Sequence, residues 1–168
     1  ALIEEIEKPF KPQLEKVLGY TTVPLYRNMV VENTIDTLIV DALKWKIDVD
    51  VVLSNGFRFC PPLVPGKDGK AAITESYLYD MLPVESTVRT GKATGQQILN
   101  WLEKELQNVF AQNAAKRFGG WFVRFKGMQV EFKAYEPAGK RVQKVIIGGK
   151  PLEPTKLYSL CACERDGD

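Results

Sequence analysis

The chain has 168 residues, 45% hydrophobic and 26% charged, with 23 Lys plus Arg against 21 Asp plus Glu and a formal net charge of +2. That length supports one globular domain with a real core and is short for two, and charge of both signs spread along the chain excludes the clustered basic excess of a dedicated nucleic-acid or membrane-surface protein. The sequence has no histidine, so a Ser-His-Asp triad, a Cys-His pair or a His-anchored zinc site cannot be built from this chain alone, and any hydrolytic chemistry is expected elsewhere.

The three cysteines, Cys60, Cys161 and Cys163, are neither a disulfide framework nor a four-ligand metal set. Cys161 and Cys163 stand two apart in an apolar run and face the same way on a strand, as small buried hydrophobes or as a metal or redox pair. A disulfide from Cys60 to either is open. No apolar stretch approaches the ~20 residues that span a bilayer. The opening ALIEEIEKPF has neither the basic flank nor the apolar centre of a signal peptide. Both ends look cut, since a helical pattern is already running at Ala1 and the chain stops at Asp168 after a charged turn. An excised domain is expected.

From Leu2 to Leu18, Leu2, Ile6, Phe10, Leu14 and Val17 recur every three or four residues, which predicts an amphipathic helix bent or broken at Pro9 and Pro12 and stopped by Gly19. TTVPLYR follows as a short strand, with Pro24 favouring an edge. Asn33 is a good N-cap, and Ile35, Leu38, Ile39, Ala42 and Leu43 form one apolar face of a helix running through Trp45. VDVVLS, residues 49 to 54, is a β-branched run expected of a strand covered on both faces, and it delivers Asn55, Gly56, Phe57 and Arg58 at its carboxyl end.

Residues 61 to 69 read as a Pro/Gly-rich loop, and Thr74 caps a short helix through Met81 that Pro83 stops. STVRTGKA is a candidate strand. Thr94 and Gln97 then make a capping box for a long helix with Ile98, Leu102, Leu106 and Val109 on one face, widened by Trp101 and Phe110. WFVRFKGMQVEF is an aromatic and β-branched stretch opened by Gly119 and Gly120, with a bulge or turn at Gly127. RVQKVIIGGKPL reads as a strand with a tight Gly-Gly turn, and KLYSLCAC as a final strand. Helices alternate with single strands first and strands cluster later, so the expected fold class is α+β, a mixed β-sheet flanked by helices.

Arg58 follows Gly56 where a buried strand ends, a usual place for ligands in open sheets, and its guanidinium is suited to a phosphate, sulfonate or carboxylate or else to a structural carboxylate. The terminal Glu164-Arg165-Asp166-Gly167-Asp168 offers carboxylates to ribose hydroxyls, a base edge or calcium, with a solvated charged turn as the plain alternative. Gly119 and Gly120 with Val123 and Arg124 bring backbone N–H groups and a cation near an anion, or simply allow close packing. Trp121, Phe122, Phe125 and Phe132 stack on a planar ligand or fill core. Glu85 and Glu105 do not stand at a spacing that suggests a general acid/base pair.

Taken together, six segments resemble, in order, the C-terminal domain of the 5'-nucleotidase family of two-domain metallophosphoesterases. They are NTIDTLIVDA (33 to 42), VVLSNGFR (51 to 58), ITESYLYDMLP (73 to 83), TGQQILNWLE (94 to 103), GGKPLEPTKLYSL (148 to 160) and the terminal Asp-Gly. The resemblance implies a linker helix at 1–19 and a substrate-binding domain at 20–168. It also implies an N-terminal domain that holds a dinuclear divalent metal site, manganese or zinc, with no cofactor in the present chain. By the same resemblance Arg58 and Asp166 are substrate-binding, with Arg124 a further anion contact in the family's thiosulfohydrolase branch; the loops themselves add Asn55, Gly56, Gly119 and Gly120 to the expected substrate-binding set, and the resemblance implies a periplasmic or otherwise exported protein.

Two departures bear on the substrate. Family members that cleave nucleotides usually show Phe then Asn after the proline at Pro83, where this chain has Val84-Glu85-Ser86, and the aromatic expected before the terminal Asp-Gly is missing from CACER. Losing both stacking contacts, at ~1–3 kcal/mol each, weakens purine binding. GFRFCPPLVPG (56 to 66) and GGWFVRFKG (119 to 127) are similar to the thiosulfohydrolase branch, the sulfur-oxidation enzymes that release sulfate from a thiosulfonate on a carrier protein. The expected partners are therefore a small phosphate ester or a carrier-bound thiosulfonate and the metallophosphoesterase domain, with no nucleic-acid polymer and no membrane span. Residues 1–168 alone are expected to be inactive. A non-catalytic interaction platform, docking a protein through aromatics such as Trp121, is the alternative of a different class.

Overall fold

The computed structural model describes residues 2–54, 61–83, 86–119 and 121–163. The chain divides into two compact units, one of Ala1–Asn28 with Arg58–Glu85 and the other of Met29–Phe57 with Ser86–Asp168.

In the smaller unit the first helical pattern is cut into pieces. α1 spans Leu2–Glu7 and α2 only Lys11–Leu14. Pro9 removes an N–H donor and crowds the preceding turn, so the helix fails there, while Pro12 is accommodated in the first turn of α2, which ends five residues before the predicted stop at Gly19. β1 (Val17–Thr21) begins instead, and Gly19 lies inside it, at an irregularity in the pairing with β3 (Ala71–Thr74). The strand expected at TTVPLYR reduces to one bridge, in which Leu25 and Leu63 exchange backbone hydrogen bonds of 2.9 and 3.0 Å. α4 (Glu75–Met81) starts where predicted, with the Thr74 hydroxyl accepting from Tyr77 N–H. Arg27, buried, donates to the Met81 carbonyl at the end of that helix and thereby fills one of its open acceptors.

The larger unit holds the main core. α3 (Thr34–Lys46) is capped by Asn33, as its sequence predicts. β2 (Val51–Ser54) runs with Val51 and Val52 wholly buried, which explains its unbroken apolar run. β4 (Val88–Thr94) leads through the Thr94–Gln97 capping box into α5 (Gly95–Phe110), whose Ile98, Leu102, Leu106 and Val109 are all buried. A 3-10 turn (Ala114–Lys116), β5 (Arg124–Lys126), β6 (Met128–Phe132), β7 (Val142–Ile147), β8 (Lys150–Pro151) and β9 (Leu157–Cys163) complete the order.

One mixed sheet has the order β4-β9-β2-β5, with β9 and β2 parallel and the outer pairs antiparallel, and a second is β6-β7-β8. The fold class is α+β, as expected. The turn expected at Gly127 of WFVRFKGMQVEF forms, and it carries the chain from β5 in the first sheet to β6 in the second. The face of α5 packs with Val51, Phe122, Val123, Met128, Val145, Ile147 and Tyr158 into a single cluster. Phe122, edge-on to Phe125 at 6.3 Å and tilted against Phe132 at 5.7 Å, fills this core.

Gly127 turns at φ +91°, and a Cβ there would come 2.0 Å from the Asp50 carbonyl oxygen at the start of β2. Gly149, at φ +78° in the turn between β7 and β8, has open space around that position. We expect Gly149→Ala to cost about 1–2 kcal/mol from left-handed strain alone. Gly127→Ala should cost at least ~2 kcal/mol more, because the clash is with backbone that cannot step aside. Urea midpoints of the two variants check this; equal losses would mean that the close approach to Asp50 is not a constraint.

Candidate functional site: the polar ties at the two ends of strand β2

β2 is held by polar side chains at each end. At its start Asp50, exposed, accepts from the backbone N–H and the hydroxyl of Ser159, both at 2.7 Å, while its own N–H donates to that hydroxyl oxygen at 2.8 Å. This ties β2 to its parallel neighbour β9. The Ser159 backbone N–H first, and then its hydroxyl, hold the Asp50 carboxyl below the usual aspartate range, with Lys44 and Lys156 adding to the effect.

At the other end stands a buried cluster. Asp36, in the first turn of α3, is 0% exposed. Its backbone N–H donates to Asn33 Oδ1 at 2.7 Å, and Asn33 Nδ2 donates to its Oδ2 at 2.6 Å. Ser54, the last residue of β2, donates its hydroxyl to the other carboxylate oxygen, Oδ1, at 2.6 Å. Arg124, 4% exposed and directly opposite Ser54 in the β2–β5 register, brings Nε to 3.5 Å from Oδ2 and donates Nη2 to the Met29 carbonyl. Phe122 N–H donates to the Val30 carbonyl at 2.7 Å beside it. One carboxylate thus joins the start of α3, the end of β2 and the start of β5.

Such a cluster is not cheap to bury. An ion pair out of water is maintained only when each partner is otherwise hydrogen-bonded, and here the hydroxyl, the amide and the carbonyl supply those bonds. A cavity of about 420 Å³ opens beside it, with Glu32, Thr37, Arg124 and Lys126 among its lining residues, a mixture of both charges. A second cavity of about 290 Å³, lined by Val51, Leu53, Ile98, Trp101, Met128 and Leu160 among others, is mainly apolar.

Of the substrate-binding residues expected from the sequence, Asn55, Gly56, Arg58, Gly120 and Asp166 lie outside the described residues, as does Cys60. Gly119 is exposed at φ +83°, where a Cβ would stand 3.3 Å from the Trp121 ring. Arg124 is placed differently from a solvent-facing anion contact, because Asp36 and the Met29 carbonyl engage it inside the fold. Trp121 is half-buried, whereas Trp45, Phe118 and Tyr135 are strongly exposed. Cys161 is buried, and burial pushes its thiol pKa up, while Cys163 is exposed. Among the described residues no three His, Cys, Asp or Glu side chains converge to hold a metal ion, and no helix is long and apolar enough to cross a membrane.

Asp36 and Ser54 are not singled out by the sequence. The signal available is an acidic residue three places after an Asn cap, which by itself indicates only a favourable charge in a first turn.

The family model for the 5'-nucleotidase C-terminal domain matches residues 16–163. The chain belongs to that family. Among solved structures it is similar to the sulfate thiohydrolase SoxB of Thermus thermophilus in complex with glycerol, at 28% identity and TM-score 0.86 over 96% of this chain and 29% of that one. It shares the fold of a 5'-nucleotidase precursor from Thermus thermophilus at 23% identity and TM-score 0.72, and of the NAD nucleotidase of Haemophilus influenzae at 18% and 0.73. Each of these covers 96% of this chain, which spans 32% and 30% of their respective lengths. A comparison with curated proteins gives no match.

The lowered Asp50 pKa gives a pH dependence whose sign follows from linkage. A carboxyl whose folded pKa lies below its unfolded value contributes stability above the unfolded value, about 3.9, and loses it as pH falls toward the folded one. Asp50→Asn should therefore lower the urea midpoint at pH 7 and flatten its decline as the pH falls below about 4. Parallel curves for the two proteins would show that Asp50 adds nothing to acid sensitivity.

Proposed function

We propose that this chain is the substrate-binding domain of a two-domain, metal-dependent hydrolase whose substrate is a thiosulfonate-type anion borne on a carrier protein. The likeness to the sulfate thiohydrolase carries this reading, being higher both in identity and in TM-score than the likeness to the two nucleotidases. The missing aromatics after Pro83 and before the terminal Asp-Gly support it, since a sulfonate needs no base-stacking faces.

In this reading Asn55, Gly56 and Arg58 meet the anion where β2 ends, Arg58 supplying a planar, permanently charged fork. Gly119, Gly120 and Asp166 complete the contacts. Arg124 serves from behind, inside the cluster around Asp36. In the same reading a dinuclear centre of manganese or zinc is held by another domain, and the contribution of this chain is to bind and orient the substrate. An exported location accompanies the same reading.

A second reading, hydrolysis of nucleoside monophosphates, is favoured by the family match itself. The two separate in one experiment on the full-length, manganese-loaded protein: sulfate release from a thiosulfonate-bearing carrier peptide beside phosphate release from 5'-AMP. We expect sulfate release, with 5'-AMP turned over at least ~100-fold more slowly, the equivalent of two lost stacking contacts. Fast phosphate release with no sulfate would establish a nucleotidase that holds its base without those aromatics.

A further inference from the structure

We propose that strand β4 and the apolar cavity beside it dock an extended, acidic segment of a partner protein. The segment adds to the four-stranded sheet as an outer strand and seats one large apolar side chain in the cavity. This goes beyond the hydrolase reading and does not depend on it.

β4 ends the order β4-β9-β2-β5 and, among the described strands, pairs with β9 alone. That pairing runs without irregularity from Val88 opposite Cys163 to Thr94 opposite Leu157, and Val88 to Lys92 are exposed. The other edges among the described strands are blunted. β5 has three residues and β8 two, one of them Pro151, while the β1–β3 pair and β6 carry irregular registers. A long, regular edge offers unpaired N–H and C=O groups to another chain, which is why natural sheets shorten or distort their edges. β4 is neither short nor distorted.

The cavity of about 290 Å³ is bounded by Ala93 of β4, Leu160 of β9, Leu53 of β2, and Ile98 and Trp101 of α5. Strand alternation puts Arg89, Gly91 and Ala93 on this face of β4 and Thr90 and Lys92 on the other. A Cβ on Gly91 would meet nothing within 4 Å, so the sheet is bare beside Leu160, its partner in register. An apolar cavity takes an apolar group more readily than water. A strand edge with a side-chain pocket beside it recognises extended peptides, main-chain hydrogen bonds giving affinity and the pocket specificity.

Charge selects the partner. From Ser86 to Leu102 the sequence has two cations, Arg89 and Lys92, and no acid. Cations along an edge repel a basic strand and favour an acidic one placed opposite.

The test uses the full-length protein and the acetylated peptide Thr-Val-Thr-Glu-Phe-Thr-Glu-Val. Paired antiparallel, it sets Phe opposite Gly91 and its two acids opposite Lys92 and Arg89. We expect a Kd of about 100 μM or tighter by calorimetry, and amide exchange over Val88 to Thr94 slowed about fivefold or more at saturation. Replacing the peptide's Phe by Ser should weaken binding about tenfold or more. N-methylating alternate peptide amides should abolish binding in one of the two possible sets and spare it in the other, because only one set faces β4.

Gly91→Val fills the open position with a residue that strands favour, and should weaken binding about tenfold or more without lowering the melting temperature. Lys92→Glu should weaken it about threefold and recover when the peptide's acids are replaced by Lys. If Gly91→Val does not fold, Lys92→Glu carries the comparison. No binding at about 1 mM, wild-type affinity in Gly91→Val, or equal affinity of both N-methylated sets would overturn the proposal. So would slow exchange of β4 in the unliganded full-length protein, which would mean that another part of that protein covers the edge. Dimerisation lost in Gly91→Val would overturn it as well, making a second copy the occupant.

Discussion

The Asp36 carboxylate is the constraint on which the larger unit depends. It has no contact with solvent, and it takes hydrogen bonds or charge from three side chains on three separate pieces of chain: Asn33 before α3, Ser54 at the end of β2 and Arg124 at the start of β5. The apolar core around α5 supplies most of the burial, but hydrophobic contact is indifferent to direction. The carboxylate is what relates the helix start to the strand end. At the opposite end of β2, Asp50 performs the corresponding task toward β9 in solvent, with weaker consequences because water competes for its partners.

Much of this fold is legible in the sequence wherever the deciding physics is local. The Asn33 cap, the Thr74 cap and the Thr94–Gln97 box depend on residues three apart, and all three form. The burial of β2 follows from a run of β-branched residues that only a doubly covered strand tolerates. The first helix is shorter than its periodicity implies, because that periodicity extends to Val17 while Pro9 interrupts backbone hydrogen bonding and the chain restarts as a second short helix with Pro12 in its first turn. At Gly127 the turn is visible in the sequence, but the choice of sheet for β5 and β6 is a matter of long-range pairing.

The site is less legible for a related reason. Arg124 reads on a strand as a cation available to an anion, since arginine is rarely buried unless paired. Its partner stands 88 positions earlier in the chain, 124 minus 36, and no local pattern joins them. Asp36 reads as an ordinary first-turn acid. What the family resemblance contributes, the match over residues 16–163, concerns the fold and the class of protein; the buried cluster emerges only from the coordinates.

Membership of the 5'-nucleotidase C-terminal domain family and a site built behind a strand end lead to one structural claim, that the Asp36–Arg124 pair organises the site as a unit. A double-mutant cycle on the stability of the protein, with Asp36→Asn, Arg124→Met and both together, measures it directly. A unit of this kind predicts that each single change costs about 3–5 kcal/mol, that the double variant costs no more than either, and that the coupling therefore reaches at least ~3 kcal/mol. Losses that add to within about 0.5 kcal/mol would show two independent residues, and β2 would then owe its fixed end to packing alone.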